Sequence, residues 1–211
     1  MPIKYYTEKE WDALNHTNTL FANVLKDLGN NMSKALEDKK IEGGWNYIPL
    51  EISGVKDELL STYNLIGRGF PKFLDVGCGI GLTLLLARGI GFSAHGIEVV
   101  PEVMEIAEKF MGQKADDKSY RPEDRRLFLQ DALTFKDYKK FDVIYYYCPF
   151  ENKDLQKKLE HLIENKMKVG AYLIANLKQD LTIRRDTRFK RIKMKGFVLW
   201  KKVRKKVKEV K

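Results

Sequence analysis

The stretch KFLDVGCGIGLTLLLARG, Lys72 to Gly89, runs from a short apolar segment into three alternating glycines, Gly77, Gly79 and Gly81, and then into an apolar pattern with helical spacing. In a doubly wound α/β sheet, ligands bind outside the carboxyl ends of the strands, where the first strand passes into its helix. Glycines at that turn permit unusual dihedrals and let a ligand approach the backbone closely. The dinucleotide fingerprint G-x-G-x-x-G, counted from Gly77, would place its third glycine at position 82, which is Leu82. The spacing here is G-x-G-x-G instead, with Asp75 two residues before the first glycine. An acidic group at that place suits a ligand that brings positive charge.

Outward from this turn, short apolar runs alternate with amphipathic helical patterns. The runs are Phe73 to Val76, Ser93 to Val99, Leu127 to Leu129, Phe141 to Cys148 and Ala171 to Ala175; helices are expected at Leu82 to Arg88, Pro101 to Phe110 and Lys153 to Glu164. That alternation predicts an α/β fold with a mostly parallel sheet covered on both faces. RFKRIKMKGFVLWKKVRK then gives two strand-like runs joined around Lys195-Gly196, too close for a crossover helix, so they form an antiparallel hairpin. Ahead of the sheet, apolar residues from Trp11 to Leu36 recur at three and four residue spacings, predicting two helices broken near Gly29-Asn30-Asn31. A loop, IEGGWNYIPLEISG, and a helix ending near Gly67 follow. The expected organisation is a helical extension and covering loop over residues 1–70, one α/β domain over 71–204, and a basic tail over 205–211.

Composition bounds the function. With 44% hydrophobic and 32% charged residues and no apolar run of bilayer-spanning length, no membrane span is expected. The N-terminus is charged early and lacks an apolar signal core, which predicts a cytoplasmic protein. Cys78 and Cys148 form no C-x-x-C pair and have no histidine at ligand spacing, so neither a metal site nor a disulfide scaffold is expected. His16, His95 and His161 are read as structural or exposed. Residues 181–211 carry 14 Lys or Arg against Asp186 and Glu209, a net +12 in a chain whose total is +10. A nearly neutral body therefore ends in a basic segment.

FLDVGCGIG resembles the first motif of class I S-adenosylmethionine-dependent methyltransferases, whose cofactor carries a sulfonium and an ammonium group. The resemblance runs from Lys72 to about Lys202. It implies a Rossmann-like, doubly wound, mostly parallel seven-stranded sheet with an antiparallel C-terminal hairpin, and S-adenosylmethionine as cofactor. It places Asp75, Gly77, Gly79 and Gly81 at the cofactor. Glu98, at the end of the second strand, takes the ribose hydroxyls. In FLQDAL, Asp131 meets the adenine amino group and the Ala132 amide meets the ring, with Asp137 as a nearby alternative.

The acceptor is read from the end of the fourth strand. Many methyltransferases acting on adenine or glutamine amides have Asp/Asn-Pro-Pro-Tyr/Phe there, which holds a weakly nucleophilic amino group. This chain has Tyr147-Cys148-Pro149-Phe150, without the polar first residue. A lysine amine needs something different, because it must lose a proton from a free pKa of about 10.4. Poorly solvated aromatic walls favour the neutral amine and guide the incoming cation. Tyr145, Tyr146, Tyr147 and Phe150 are candidates for such a wall, with Tyr147 and Phe150 taken as the catalytic pair. The plain alternative for each tyrosine is that a buried parallel strand is rich in large β-formers. Asn46-Tyr47-Ile48-Pro49 is similar to the segment that covers the cofactor in non-SET protein lysine methyltransferases, which adds Tyr47 to the cofactor-binding set. The resulting expectation is methyl transfer to nitrogen in a protein lysine. The alternatives are an RNA or DNA acceptor held by the basic C-terminal segment, and a non-catalytic module that binds S-adenosylmethionine.

Overall fold

The computed structural model describes residues 12–13, 16–20, 22–23, 26–27, 52–67, 69–115 and 126–204. The described residues among 12–27 are helical. Eleven longer elements follow: α1 (Ile52–Ile66), β1 (Lys72–Val76), α2 (Leu82–Ile90), β2 (Ser93–Glu98), α3 (Pro101–Met111), β3 (Leu127–Leu129), β4 (Val143–Tyr147), α4 (Lys153–Lys166), β5 (Tyr172–Asn176), β6 (Phe189–Lys193) and β7 (Val198–Lys202). The seven strands make one sheet in the order β3-β2-β1-β4-β5-β7-β6. β1 to β5 run parallel, and β7 lies antiparallel between β5 and β6.

Both faces of the parallel strands are buried, as expected when helices cover a sheet on each side. One face packs Phe73, Val143, Tyr145 and Ile174 against Val55 and Leu59 of α1 and Leu84 and Leu86 of α2. The other packs Leu74, Ile144, Tyr146 and Leu173 against Leu159 and Ile163 of α4. The alternation of strand residues decides which helix each one meets.

Local chemistry sets the helix ends. α3 begins with Pro101 at its first turn, where a missing N–H costs no hydrogen bond. The Asn152 side chain caps α4 by accepting from the Asp154 and Leu155 amides at 2.9 and 3.1 Å. At the other end of α4, the Lys202 ammonium donates to the carbonyls of Glu164, Asn165 and Met167 at 2.7, 3.0 and 2.8 Å. A buried cation thus satisfies the helix's last carbonyls and ties β7 to α4.

The apolar runs and the strands coincide closely. The run at Phe141 is trimmed because a single 3-10 turn over Tyr138–Lys140 ends there, and at its far end Cys148 leaves β4 with φ of 42°. In β2, a side chain at Gly96 would put its Cβ 2.5 Å from the Cys78 Sγ, so glycine makes room for the turn after β1.

Candidate functional site

The turn after β1 is held by backbone. The Gly77 and Cys78 amides both donate to the Ile97 carbonyl of β2 at 2.9 Å, and the Gly81 amide donates to the Cys78 carbonyl at 3.0 Å. Gly77, Gly79 and Gly81 have φ of 77°, 55° and 83°, which side-chain-bearing residues adopt at a cost. Glu98 closes the arrangement from the end of β2. One of its oxygens accepts from the Gly79 amide at 3.0 Å, and the other from the Val99 and Val100 amides at 2.8 and 2.9 Å. The oxygen facing Gly79 has a single donor among these contacts, which leaves it acceptor capacity.

Asp75, the penultimate residue of β1, is 3% exposed. Burial lifts its carboxyl well above the usual carboxylate range, and the Glu98 charge adds to this against a hydrogen bond with the Thr83 side chain. No cation pairs with it among the described residues. An ionised carboxylate in such a place is costly until a positive charge arrives. Burial likewise pushes the Cys78 thiol well up. The donor set therefore fits a ligand that brings positive charge.

After β3, Asp131 builds its own turn, its carboxylate accepting from the Leu133 amide at 2.8 Å. The Ala132 carbonyl accepts from the Tyr138 hydroxyl at 2.7 Å. Asp137 is instead paired with Lys140 at 2.6 Å on the surface. Asp75, the three glycines and Glu98 come together at the carboxyl ends of β1 and β2, with Asp131 and Ala132 one strand further out. Tyr47 lies outside the described residues, as do residues 205–211.

Of the four aromatic candidates near β4, Tyr147 alone is exposed, at 39%. Tyr145 and Tyr146 are buried on opposite faces of the sheet, so strand alternation sends them into the two cores. Phe150 is 7% exposed and packs with the α4 core, its amide donating to the Gln156 side chain at 3.2 Å. Tyr147 is thus the one of the four whose side chain reaches the surface. Pro149 packs on the glycine turn, for a Cβ on Gly77 would sit 2.8 Å from the Pro149 Cβ.

Sequence reasoning missed two polar groups at this end. On the α4 face, Glu160, 1% exposed, accepts on one oxygen from Gln156 Nε2 at 3.0 Å and the Gln179 amide at 2.8 Å. Its other oxygen accepts from Lys178 Nζ at 2.9 Å and the Asp180 amide at 2.7 Å. Lys178 also pairs with Glu164 at 2.7 Å. Through Gln156 this cluster ties the loop after β4 to the loop after β5. Polar residues at 156, 160 and 164, spaced by four on an amphipathic helix's buried face, were the available signal. On the α1 face, Asn176 Nδ2 donates to Glu58 at 3.0 Å and to the Tyr145 hydroxyl at 3.4 Å. No local pattern marks that pair.

Elsewhere, His95 is buried in β2 with Nδ1 2.8 Å from the Ser93 carbonyl, and burial lowers its pKa to about 4. His161 is half exposed and pairs with Asp180 at 2.7 Å. Among the described residues there is no group of side chains fit to hold a metal and no helix long and apolar enough to cross a membrane.

The order β3-β2-β1-β4-β5-β7-β6 with only β7 reversed, and a glycine turn after β1 held by an acidic residue at the end of β2, decide the architecture. The chain has the class I methyltransferase fold. An RNA methyltransferase from Salinibacter ruber, solved with S-adenosyl-L-homocysteine, superposes with a TM-score of 0.53 at 15% identity, covering 78% of this chain and 99% of that one. Magnesium protoporphyrin IX methyltransferase from Synechocystis PCC 6803, solved with S-adenosylmethionine, superposes with a TM-score of 0.50 at 14% identity, covering 71% and 77%. In sequence, the chain is 32% identical over 103 residues to a ubiquinone biosynthesis O-methyltransferase of Pelagibacter ubique, a match covering 47% of this chain and 40% of that protein. This methyltransferase-fold chain therefore matches less than half the length of that relative. No protein-family signature matches it.

Proposed function

We propose that this chain is an S-adenosylmethionine-dependent methyltransferase acting on an amine nitrogen, with a protein lysine side chain as the acceptor. The observation that carries the cofactor reading is the pair of carboxylates at the glycine turn: Asp75, buried with no cation paired to it among the described residues, and Glu98, bridging the turns after β1 and β2. Asp75 suits the cofactor's positive charge, Glu98 its ribose hydroxyls, and the glycine turn its close approach. Asp131 and Ala132 are assigned to the adenine. The bound cofactor supplies an electrophilic methyl group on a sulfonium, so the protein's task is to align a nucleophile and exclude water.

The amine reading is supported by Tyr147 at the rim of β4 and by the lack of a carboxamide or carboxylate at that position, which a poorly nucleophilic amide or adenine nitrogen would call for. Purified protein, methyl-labelled S-adenosylmethionine and a cell extract form the test, with separate portions treated with protease or nuclease. Label released by protease supports the reading. Label released by nuclease alone overturns it and favours a second one, which has its own observation. Arg184, Arg185, Lys190, Arg191, Lys193 and Lys195 are all exposed around the β6-β7 hairpin, a surface able to neutralise phosphates.

A further inference from the structure

One carboxylate at the acceptor end has no task in the cofactor site. Glu58 is half-buried in the first half of α1, the helix that packs over β4 and β5, and one of its oxygens accepts from Asn176 Nδ2 at 3.0 Å. Asn176 ends β5 and stands in register with Tyr147, which ends β4, so in parallel neighbours the two share a face at the carboxyl edge. Asn176 also donates to the Tyr145 hydroxyl. Burial raises that hydroxyl well above its ordinary value, and the Asp75 and Glu58 charges add to this. Among the described residues no cation pairs with Glu58, and its helical neighbour Lys56 turns instead to Asp57 and Thr19.

We propose that Glu58 receives the acceptor amine, pairing with the incoming ammonium and then taking a proton from it before methyl transfer. This rests on the amine reading above. An N–H bond breaks, its electron pair stays on nitrogen, and the proton forms an O–H bond at Glu58. The neutral amine then holds the lone pair that transfer requires, and Glu58 returns its proton to water after the product leaves. Burial serves both partners, because desolvation raises the Glu58 carboxyl and lowers an ammonium brought beside it. Asn176 fixes one carboxylate oxygen and so aims the other.

The test uses the full chain, Glu58→Gln and Glu58→Asp, with methyl-labelled S-adenosylmethionine and the protein fraction of a cell extract freed of nucleic acid. Cofactor binding is followed by calorimetry, and the initial rate is followed from pH 7 to pH 10. Glu58→Gln is expected to bind S-adenosylmethionine within about twofold of the parent chain and to methylate roughly 10²- to 10⁴-fold more slowly at pH 7. Its rate then climbs about tenfold per pH unit as solution deprotonates the amine in place of Glu58. Asn176 is hydrogen-bonded to Glu58, the Tyr145 hydroxyl shares that Asn176 amide, and Lys56 on the same helix is engaged by Asp57 and Thr19. Burial holds the Tyr145 hydroxyl well above its ordinary value, which keeps it out of the pH window. Glu58→Asp, which keeps the charge, regains at least about tenfold over Glu58→Gln at pH 7.

Parallel pH profiles for Glu58→Gln and the parent chain, or equal rates for the two variants, would remove the carboxylate from the reaction. Loss of cofactor binding in Glu58→Gln would overturn the proposal as well, by making Glu58 part of the cofactor site. A parent chain that labels no protein sinks the amine reading itself, whereas protein labelling that is indifferent to position 58 sinks only the role of Glu58.

Discussion

The turn after β1 and the loops after β4 and β5 reach the same edge of the sheet, yet they are held there in different ways. The first is fixed by backbone: three left-handed glycines, amide contacts to the Ile97 carbonyl, and a single carboxylate, Glu98, that accepts from three amides. The loops after β4 and β5 are fixed by buried side chains, with Glu160 holding Gln156, Lys178 and two amides at once. A backbone device has few alternatives in sequence, and its shape survives changes in the core around it. A buried ionic cluster is different, because removing one member leaves charges without partners and the loops without an anchor. The comparison predicts that damage to the cluster falls on stability, while damage to the turn falls on ligand binding.

Glu160→Ala is the strongest way to break that contrast. It orphans Lys178 and Gln156, and a loss of roughly 3–5 kcal/mol is expected, read as a fall in melting temperature of about 6–20 °C. Cofactor affinity measured below the transition should stay within a few-fold of the parent chain; an equal loss of both would merge the two regions into one. Glu98→Ala is the converse. Removing charged hydrogen bonds worth roughly 1.5–3 kcal/mol should weaken S-adenosylmethionine binding about 10- to 150-fold by calorimetry, with a smaller fall in melting temperature than Glu160→Ala produces.

Gly77→Ala probes the point where the two regions touch. A left-handed φ and an overlap with Pro149 together predict a loss of about 2 kcal/mol in urea denaturation, and a change near zero would mean that the loop after β4 moves aside freely. Asp75→Asn is expected to act on stability with the opposite sign. Because burial raises the folded-state carboxyl, the folded chain holds that proton longer than the unfolded chain. The contribution to stability is complete at acid pH and is lost as pH rises from the ordinary carboxylate range through the raised value. At pH 8 the amide should therefore stabilise the free protein, read as a rise in melting temperature, while weakening cofactor binding. Stabilisation without weaker binding would take Asp75 out of the cofactor site.

What sequence could reveal follows the same division. The apolar runs mark the strands because parallel strands buried on both faces need continuous apolar residues. Gly77, Gly79 and Gly81 stand out because a left-handed turn admits little else, and Glu98 follows at a distance fixed by one helix and one strand. Sequence could not separate Tyr145 and Tyr146 from Tyr147, because large aromatic residues suit a buried strand as well as they suit a channel wall; the first two pack in the cores and Tyr147 is exposed. Phe150 is similar, its ring spent on packing under α4. Glu58 and Asn176 were illegible because 118 residues separate them, and the sheet order alone brings them together. Gln156 and Glu160 carried a local signal, polar residues on a helix face otherwise apolar, but their partners in the loop after β5 carried none.

The placing of β7 between β5 and β6 has a consequence for how the chain is made. Synthesis finishes β6 before β7 exists, yet among the described residues β7 is the strand through which β6 joins the sheet. Until Val198–Lys202 leaves the ribosome, the outer edge of β5 offers unpaired amides and carbonyls, and β6 has nothing to dock on. Lys202, the final residue of that strand, also brings the ammonium that finishes α4. One segment therefore both covers the edge of β5, leaving β6 as the outer strand, and caps the helix.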